Sequence, residues 1–110
     1  MWVGASRREI DDFPSVARRR AGQSLRLVQE GLQPEDWKPM GSVGLGVREL
    51  RVRQTEGGVV QYRVIYVARF REAVYVLHAF EKKARATPAH HVEVARARYR
   101  AMLRERRANS

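Results

Sequence analysis

The segment YVLHAFEKKARATP, residues 75–88, passes from a strand pattern into the start of a helix. Its first half is rich in aromatic and β-branched residues, a composition typical of strands. At its end, Thr87 is a candidate N-cap and Pro88 a candidate first residue of the helix. The segment therefore places a group of titratable side chains where a sheet gives way to a helix: His78, Lys82, Lys83 and Arg85.

Two more strand patterns precede this segment. Residues 47–54 (VRELRVRQ) alternate along the chain, and residues 59–70 (VVQYRVIYVARF) are rich in β-branched and aromatic side chains. Gly57-Gly58 predicts a hairpin turn between them, and a short REA turn leads into the third strand, residues 73–82. Residues 1–4 are short and apolar and predict an edge strand. Because short turns join the three long strands, the sheet is predicted to be antiparallel.

Helix patterns flank the strands. Ser6 and Glu9 have the spacing of a capping box, so that a helix should begin at Ser6. Phe13-Pro14 interrupts this helix, and Pro14 can open a second one that ends near Glu30. Residues 31–46 are rich in glycine and proline and predict a loop. Together with the helix at the end of the chain, these patterns predict an α+β domain, a small antiparallel sheet with two N-terminal helices and one C-terminal helix.

The composition is that of one strongly basic domain, residues 1–110, with a frayed tail expected over residues 104–110. The sequence has 22 Lys and Arg against 12 Asp and Glu, a net charge of +10, which points to a polyanion or an acidic partner. It has no cysteine, which excludes disulfides and thiolate metal sites and makes the reducing cytoplasm the expected location.

Several classes of function have no support in the sequence. No apolar run approaches the ~20 residues of a membrane span. A phosphate-binding glycine loop, a nucleophile-elbow motif and a zinc-protease motif are all missing. His90-His91 is too small a set of ligands to indicate a metal site. We therefore expect no cofactor, no metal and no membrane partner.

Strand parity groups the side chains by face. With one assumed registration between the strands, Leu50, Val64 and Leu77 point to the face that the helices cover. The opposite face is then predicted to be open, basic and to contain a histidine. It collects Glu49, Arg51, Arg63, His78 and Lys82.

Three motifs of the sequence together resemble those of a known protein family. GVREL (46–50), YRVIY (62–66) and YVLHAFEKKARATP (75–88), in this order and at this spacing, resemble the phage-derived HigB-like branch of the RelE/ParE toxin superfamily. The amino-terminal WVGASRREIDDFP (2–14) fits as well, so that the resemblance covers nearly the whole chain.

The resemblance implies a RelE-like fold and the function of a toxin in a type II toxin-antitoxin system. Such toxins cleave mRNA without a metal, usually on the ribosome, and thereby inhibit growth. A cognate antitoxin with a helix-turn-helix domain neutralises them, and operator DNA is contacted only through this antitoxin. ParE relatives share the fold but poison gyrase and are not nucleases, so that a ParE-like or degenerate non-nuclease remains an alternative. A plain RNA-binding protein is another.

The resemblance also implies residue roles. Arg63 matches a basic residue that acts on the scissile phosphate, Arg51 stands where relatives have a lysine, and Lys82 lies close to a catalytic arginine. Glu49 departs from a lysine of RelE, and no tyrosine matches the catalytic tyrosine of RelE, because Tyr99 lies too deep in the helix pattern.

RNA cleavage needs charge stabilisation and proton transfer. Arg63 and Lys82 are candidates for charge stabilisation, and His78 or Glu49 for proton transfer, since the ordinary pKa of histidine suits either direction of transfer. Arg51, Lys83 and Arg85 are candidates for nucleic-acid binding. Two of these residues also have a structural interpretation. His78 can be a hydrogen-bonded structural residue, and Glu49 can be the ion-pair partner of Arg51 or Arg63.

Overall fold

The computed structural model describes residues 1–55, 60–83, 85 and 87–110. In these residues the order of elements is α1 (Ser6–Asp11), α2 (Ser15–Gln29), β1 (Trp37–Pro39), β2 (Val47–Gln54), β3 (Val60–Val67), β4 (Tyr75–Lys82) and α3 (Ala89–Ala108). The predicted hairpin turn at Gly57-Gly58 lies outside the described residues. Among the described helices, none is both long and apolar enough to cross a membrane.

The described strands form one antiparallel sheet in the order β1-β2-β3-β4. The β-branched and aromatic residues of β3 make it a central strand, with β2 and β4 hydrogen-bonded on its two sides. Two helices precede the long strands and one follows them, so the predicted α+β class and a RelE-like arrangement are confirmed.

Helices cover both faces of the sheet, which corrects the prediction of one open face. On one face, α1 and α2 pack against the apolar side chains of the central strands in a single cluster, which includes Leu50, Val64 and Leu25. On the other face, α3 packs through Ala95, Tyr99 and Met102 against a second cluster of strand residues. The basic residues of this second face therefore lie at the end of the sheet that α3 leaves uncovered, rather than across a whole face.

A bulge in β4 explains why the assumed registration was wrong for Leu77. Ile65 pairs with His78, but the next residue of β3, Tyr66, pairs with Val76, so that Leu77 is the extra residue. Leu77 consequently joins the core beneath α3 instead of lying with Leu50 and Val64. An extra residue of this kind breaks the strict alternation from which the faces were predicted.

The structure also changes the predicted ends of several elements. Residues 37–39, predicted as loop, form β1 and pair with β2 from Leu50 to Arg48. The predicted edge strand at residues 1–4 is a single parallel bridge, Trp2 to Val76, on the outer side of β4. α3 continues through Ala108, where a frayed tail was expected, and Arg106 of its last turns pairs with Glu72.

Both predicted caps are replaced by tertiary contacts. α1 begins at Ser6 as predicted, but its N-cap is Ala5, and Glu9 binds β4 and α3 instead of closing a capping box. α3 has Pro88 at its N-cap, and the hydroxyl of Thr87 donates to Glu49. Two side chains with the right chemistry for local capping thus fix the helices to the sheet.

Candidate nucleic-acid-binding and catalytic site

Arg63 and Glu49 form a buried ion pair at the centre of the site. Glu49 is 0% and Arg63 4% exposed, and Arg63 Nε lies 3.2 Å from Glu49 Oε1. The guanidinium also donates to Gln61 Oε1 at 2.8 Å and to the carbonyl of Tyr62 at 3.3 Å. Burial lowers the pKa of Arg63, while the charge of Glu49 opposes this shift. The ion pair and the two hydrogen bonds together hold the guanidinium of Arg63 in one orientation.

Glu49 connects this pair to two other parts of the chain. Thr87, just before α3, donates its hydroxyl to Glu49 Oε2 at 2.9 Å. Lys38 on β1 lies 3.6 Å from Glu49 Oε1. Glu49 therefore accepts one hydrogen bond, from Thr87, and forms ion pairs with Lys38 on β1 and Arg63 on β3, which agrees with the ion-pair interpretation of this residue.

A cleft of about 200 Å³ opens beside Arg63. Its walls come from the ends of β2 and β3 and from the residue before β1: Asp36, Arg51, Val52, Arg53, Gln61 and Arg63. Arg51 is the Cα partner of Arg63 across the strands, and its guanidinium lies 3.5 Å from Asp36 Oδ1. The cleft therefore presents guanidinium groups to a small anion, with one carboxylate competing for them.

The other predicted basic residues continue from this cleft along the end of β4. Lys82 is the Cα partner of Gln61, one of the cleft residues. Burial lowers the pKa of Lys82, and the nearby charge of Arg63 lowers it further. Lys83 and Arg85 follow it and are exposed to solvent. The structure thus brings Arg51, Arg63 and Lys82 together and leaves Lys83 and Arg85 on the adjoining surface.

His78 lies apart from the cleft, in a buried network between the sheet and the helices. It is 5% exposed, and its Nδ1 lies 3.0 Å from Glu9 Oε1. Arg98 of α3 donates to both oxygens of Glu9, at 2.8 and 3.0 Å. Burial raises the pKa of Glu9, but the hydrogen bonds from His78 and Arg98 outweigh it and bring the pKa to about 2. The contacts of His78 thus agree with the interpretation of this histidine as a hydrogen-bonded structural residue.

The network continues from His78 to His91 in the first turn of α3. His78 Nε2 lies 2.8 Å from His91 Nδ1. The ring of His91 stacks on Phe80, with 3.9 Å between centroids and 12° between planes. Phe80 is in turn the Cα partner of Arg63. His91 therefore joins the His78 network to the strand neighbour of Arg63, and it is only half-buried.

Sequence reasoning missed Glu9, Thr87 and His91 as parts of this site. Each contact that joins them to it spans 13 or more residues of the chain. Glu9 and Thr87 were explained by local capping, which left no reason to look for distant partners. The adjacent pair His90-His91 was considered only as a possible metal site, so that a contact of His91 with the sheet was not sought.

The sheet with helices on both faces and a basic cleft at its uncovered end defines a protein of RelE-like α+β fold. The chain belongs to the phage derived protein Gp49-like family (DUF891), whose sequence pattern matches residues 8–100. This family consists of RelE-like, toxin-related proteins. A comparison with curated proteins gave no match.

Proposed function

We propose that this chain is the toxin of a type II toxin-antitoxin system, of the HigB-like branch, and that it is an endoribonuclease that cleaves mRNA on the ribosome. Its partners are mRNA, the translating ribosome and a cognate antitoxin with a helix-turn-helix domain, through which alone operator DNA is contacted. It works in the cytoplasm and needs no metal.

The observation that carries this proposal is the fixed guanidinium of Arg63 at the wall of a basic cleft in a toxin-related family. Cleavage of RNA builds negative charge on the non-bridging oxygens of the phosphate. Preorganised cations aimed at this position are the largest contribution that a metal-free site can make. Arg63 is preorganised by Glu49, Gln61 and the carbonyl of Tyr62.

The other residues take complementary roles around this guanidinium. Lys82, next to Gln61 across the strands, shares the stabilisation of the phosphate charge. Arg51 positions the phosphate, and the exposed Lys83 and Arg85 bind the flanking backbone. Glu49 is a positioning residue, since its carboxylate is fully buried and already engaged by Arg63, Lys38 and Thr87.

A second candidate function is a ParE-like or degenerate toxin that acts by binding a protein such as gyrase. One feature favours it: the cations of the cleft are already compensated, Arg63 by Glu49 and Arg51 by Asp36. A substrate phosphate would have to compete with Asp36 for Arg51. A partner protein that contacts only the exposed basic surface would not.

Primer extension on a reporter mRNA after brief induction tests the proposal. We expect wild type to produce cuts within the reading frame, and Arg63→Ala and Lys82→Ala to reduce them at least ~100-fold, as removal of one stabilising donor does elsewhere. Arg19→Ala is the matched control, because Arg19 is an exposed arginine of α2 on the opposite side of the sheet.

Each outcome has one interpretation. Cuts in wild type and Arg19→Ala that vanish in Lys82→Ala, whose side chain is only partly buried, support the nuclease. Growth arrest with intact mRNA rejects it in favour of the protein-binding toxin. RNA binding without growth arrest or cuts rejects both and leaves a plain RNA-binding protein.

A further inference from the structure

A line of hydrogen-bonding groups leads from a partly buried carboxylate to a half-buried imidazole in the first turn of α3. It comprises Glu9, His78 and His91, with 3.0 Å between Glu9 Oε1 and His78 Nδ1 and 2.8 Å between His78 Nε2 and His91 Nδ1. The three residues come from α1, β4 and α3, so the fold rather than the local sequence assembles them.

The carboxylate sets the tautomers along this line. Glu9 is ionised, and an ionised carboxylate only accepts hydrogen bonds. His78 Nδ1 lies 3.0 Å from Glu9 Oε1 and 3.3 Å from Arg98 Nη1. Because the contact to Glu9 is the shorter one, we assign the proton to His78 Nδ1, which donates it to Glu9. In neutral His78 the other nitrogen, Nε2, is then an acceptor. His91 Nδ1 must donate to it, which leaves the lone pair on His91 Nε2.

The surroundings keep His91 neutral and hold its ring against Phe80. Burial lowers the pKa of His91 to about 4, the charges of His78 and His90 lower it too, and Glu9 acts in the opposite direction. Arg98 approaches the same network from α3. The stack of His91 on Phe80 places it beside the side chain paired with Arg63, and such cross-strand neighbours lie ~5 Å apart.

We propose that His91 is the proton-transfer residue of this site, acting as general base through Nε2, and that His78 and Glu9 are positioning residues that hold it in the required tautomer. This inference rests on the proposed cleavage of RNA. It names a residue outside the set Arg63, Lys82, His78 and Glu49 that the sequence predicts, and it gives His78 an indirect role in place of a direct one.

In the proposed cleavage step, His91 Nε2 takes the proton of the 2′-hydroxyl. The 2′-oxygen forms a bond to phosphorus while the bond from phosphorus to the 5′-oxygen breaks. The 5′-oxygen leaves with the bonding electron pair and takes a proton from water. The Nδ1 proton of His91 passes to His78 Nε2, so that the positive charge comes to lie beside Glu9. The hydroxide left by the water finally removes the extra proton, and the products are a 2′,3′-cyclic phosphate and a 5′-hydroxyl.

The decisive comparison is His91→Gln with Glu93→Gln, a substitution at an exposed position of the same helix. We expect His91→Gln to slow cleavage ~100-fold or more, as loss of a general base does, and Glu93→Gln to change it less than about twofold. Binding of an uncleavable RNA with a 2′-deoxy substitution at the scissile position should be equal in all three proteins.

The pH profile separates a base from a structural residue. The wild-type rate should be level near neutral pH and fall as the pH drops towards about 4. In His91→Gln the remaining rate should instead rise tenfold per pH unit, because hydroxide must then remove the proton. His78→Gln should slow cleavage less than His91→Gln, and the double variant should be no slower than His91→Gln alone.

Imidazole NMR gives a readout that does not depend on activity. The inference expects an unprotonated Nε2 on His91 at neutral pH and a titration of His91 well below the ordinary pKa of a histidine, near about 4. Cleavage by His91→Gln at the wild-type rate, or a protonated His91 Nε2, overturns the inference while the nuclease function stands. A wild-type protein that cuts no RNA in the primer-extension assay overturns both.

Discussion

Arg63 keeps its charge inside the protein because an ion-pair partner and two hydrogen-bond acceptors surround it. Glu49, Gln61 and the carbonyl of Tyr62 replace the water that the guanidinium loses on folding. A buried pair of this kind contributes little net stability compared with apolar residues, but removing one partner leaves the other charge uncompensated. The sequence predicted both residues on one face of the sheet. It could not predict their depth, because Thr87 reaches Glu49 from a distant part of the chain.

At this residue scale we expect Glu49→Gln to lower the free energy of unfolding by ~3–5 kcal/mol, the usual cost of breaking a buried pair from one side. Urea unfolding measures it. Arg63→Met should be costly for the same reason. The double variant Glu49→Gln/Arg63→Met should be clearly less costly than the two single losses added together. Additive losses would show that the two charges do not depend on each other.

At the scale of elements, the junction of α1, β4 and α3 depends on Glu9. Its carboxylate accepts from Ala79 N in β4 and from Arg98 in α3. Sequence patterns predicted all three elements, and β2 and the end of β4 to the residue, because periodicity within one element is a local property. They missed the bulge at Leu77 and the contacts of Glu9, because these arise only when the elements meet. β1 was missed because WKP carries a proline and lies in a segment rich in glycine.

This junction should make stability depend on pH in two windows. The pKa of Glu9 is lowered from 4.5 to about 2, so its contribution is complete above pH 4.5 and is lost as the pH falls towards 2. The pKa of His91 is lowered from 6.5 to about 4, so the unfolded chain binds more protons than the folded one between these values. The free energy of unfolding therefore decreases here too as the pH is lowered from 6.5 to 4. Urea unfolding at a series of pH values measures both.

Three variants test which residue causes each part of the pH dependence of stability. His91→Gln should flatten the dependence between pH 6.5 and 4, and Glu9→Gln the dependence below pH 4.5. Glu30→Gln, at an exposed carboxylate just after α2, should leave both unchanged. A wild-type slope between pH 6.5 and 4 that persists in His91→Gln would contradict the assignment.

At the scale of the whole molecule, the net charge of +10 is spread over both sides of the sheet. α2 carries exposed arginines such as Arg19 and Arg26 on one side, while Lys83 and Arg85 extend from the cleft on the other. Long-range attraction of RNA would use all of them, but close contacts to phosphates would use only those beside the cleft.

The salt dependence of RNA binding distinguishes these contributions. For a single-stranded RNA, each phosphate contact contributes about 0.7 to the slope of log K against log salt. We expect Lys83→Ala/Arg85→Ala to reduce this slope by roughly 1.4, from two lost contacts. Arg19→Ala/Arg26→Ala, which removes the same charge from α2, should leave the slope nearly unchanged. Equal slopes in the two double variants, measured by fluorescence anisotropy, would show that only total charge matters.

Both borders of the sheet carry features that hinder the addition of further strands. β1 is three residues long and ends at Pro39, which has no N–H to donate. Beyond β4, Val3 N donates to Val76 O at 3.0 Å and Val76 N to Met1 O at 2.8 Å, so that both backbone groups of Val76 are already paired. Exposed borders let sheets of neighbouring copies fuse into aggregates. In the described part of the chain, a short strand at one border and a few N-terminal residues at the other thus reduce the tendency of a sheet rich in valine and tyrosine to self-associate.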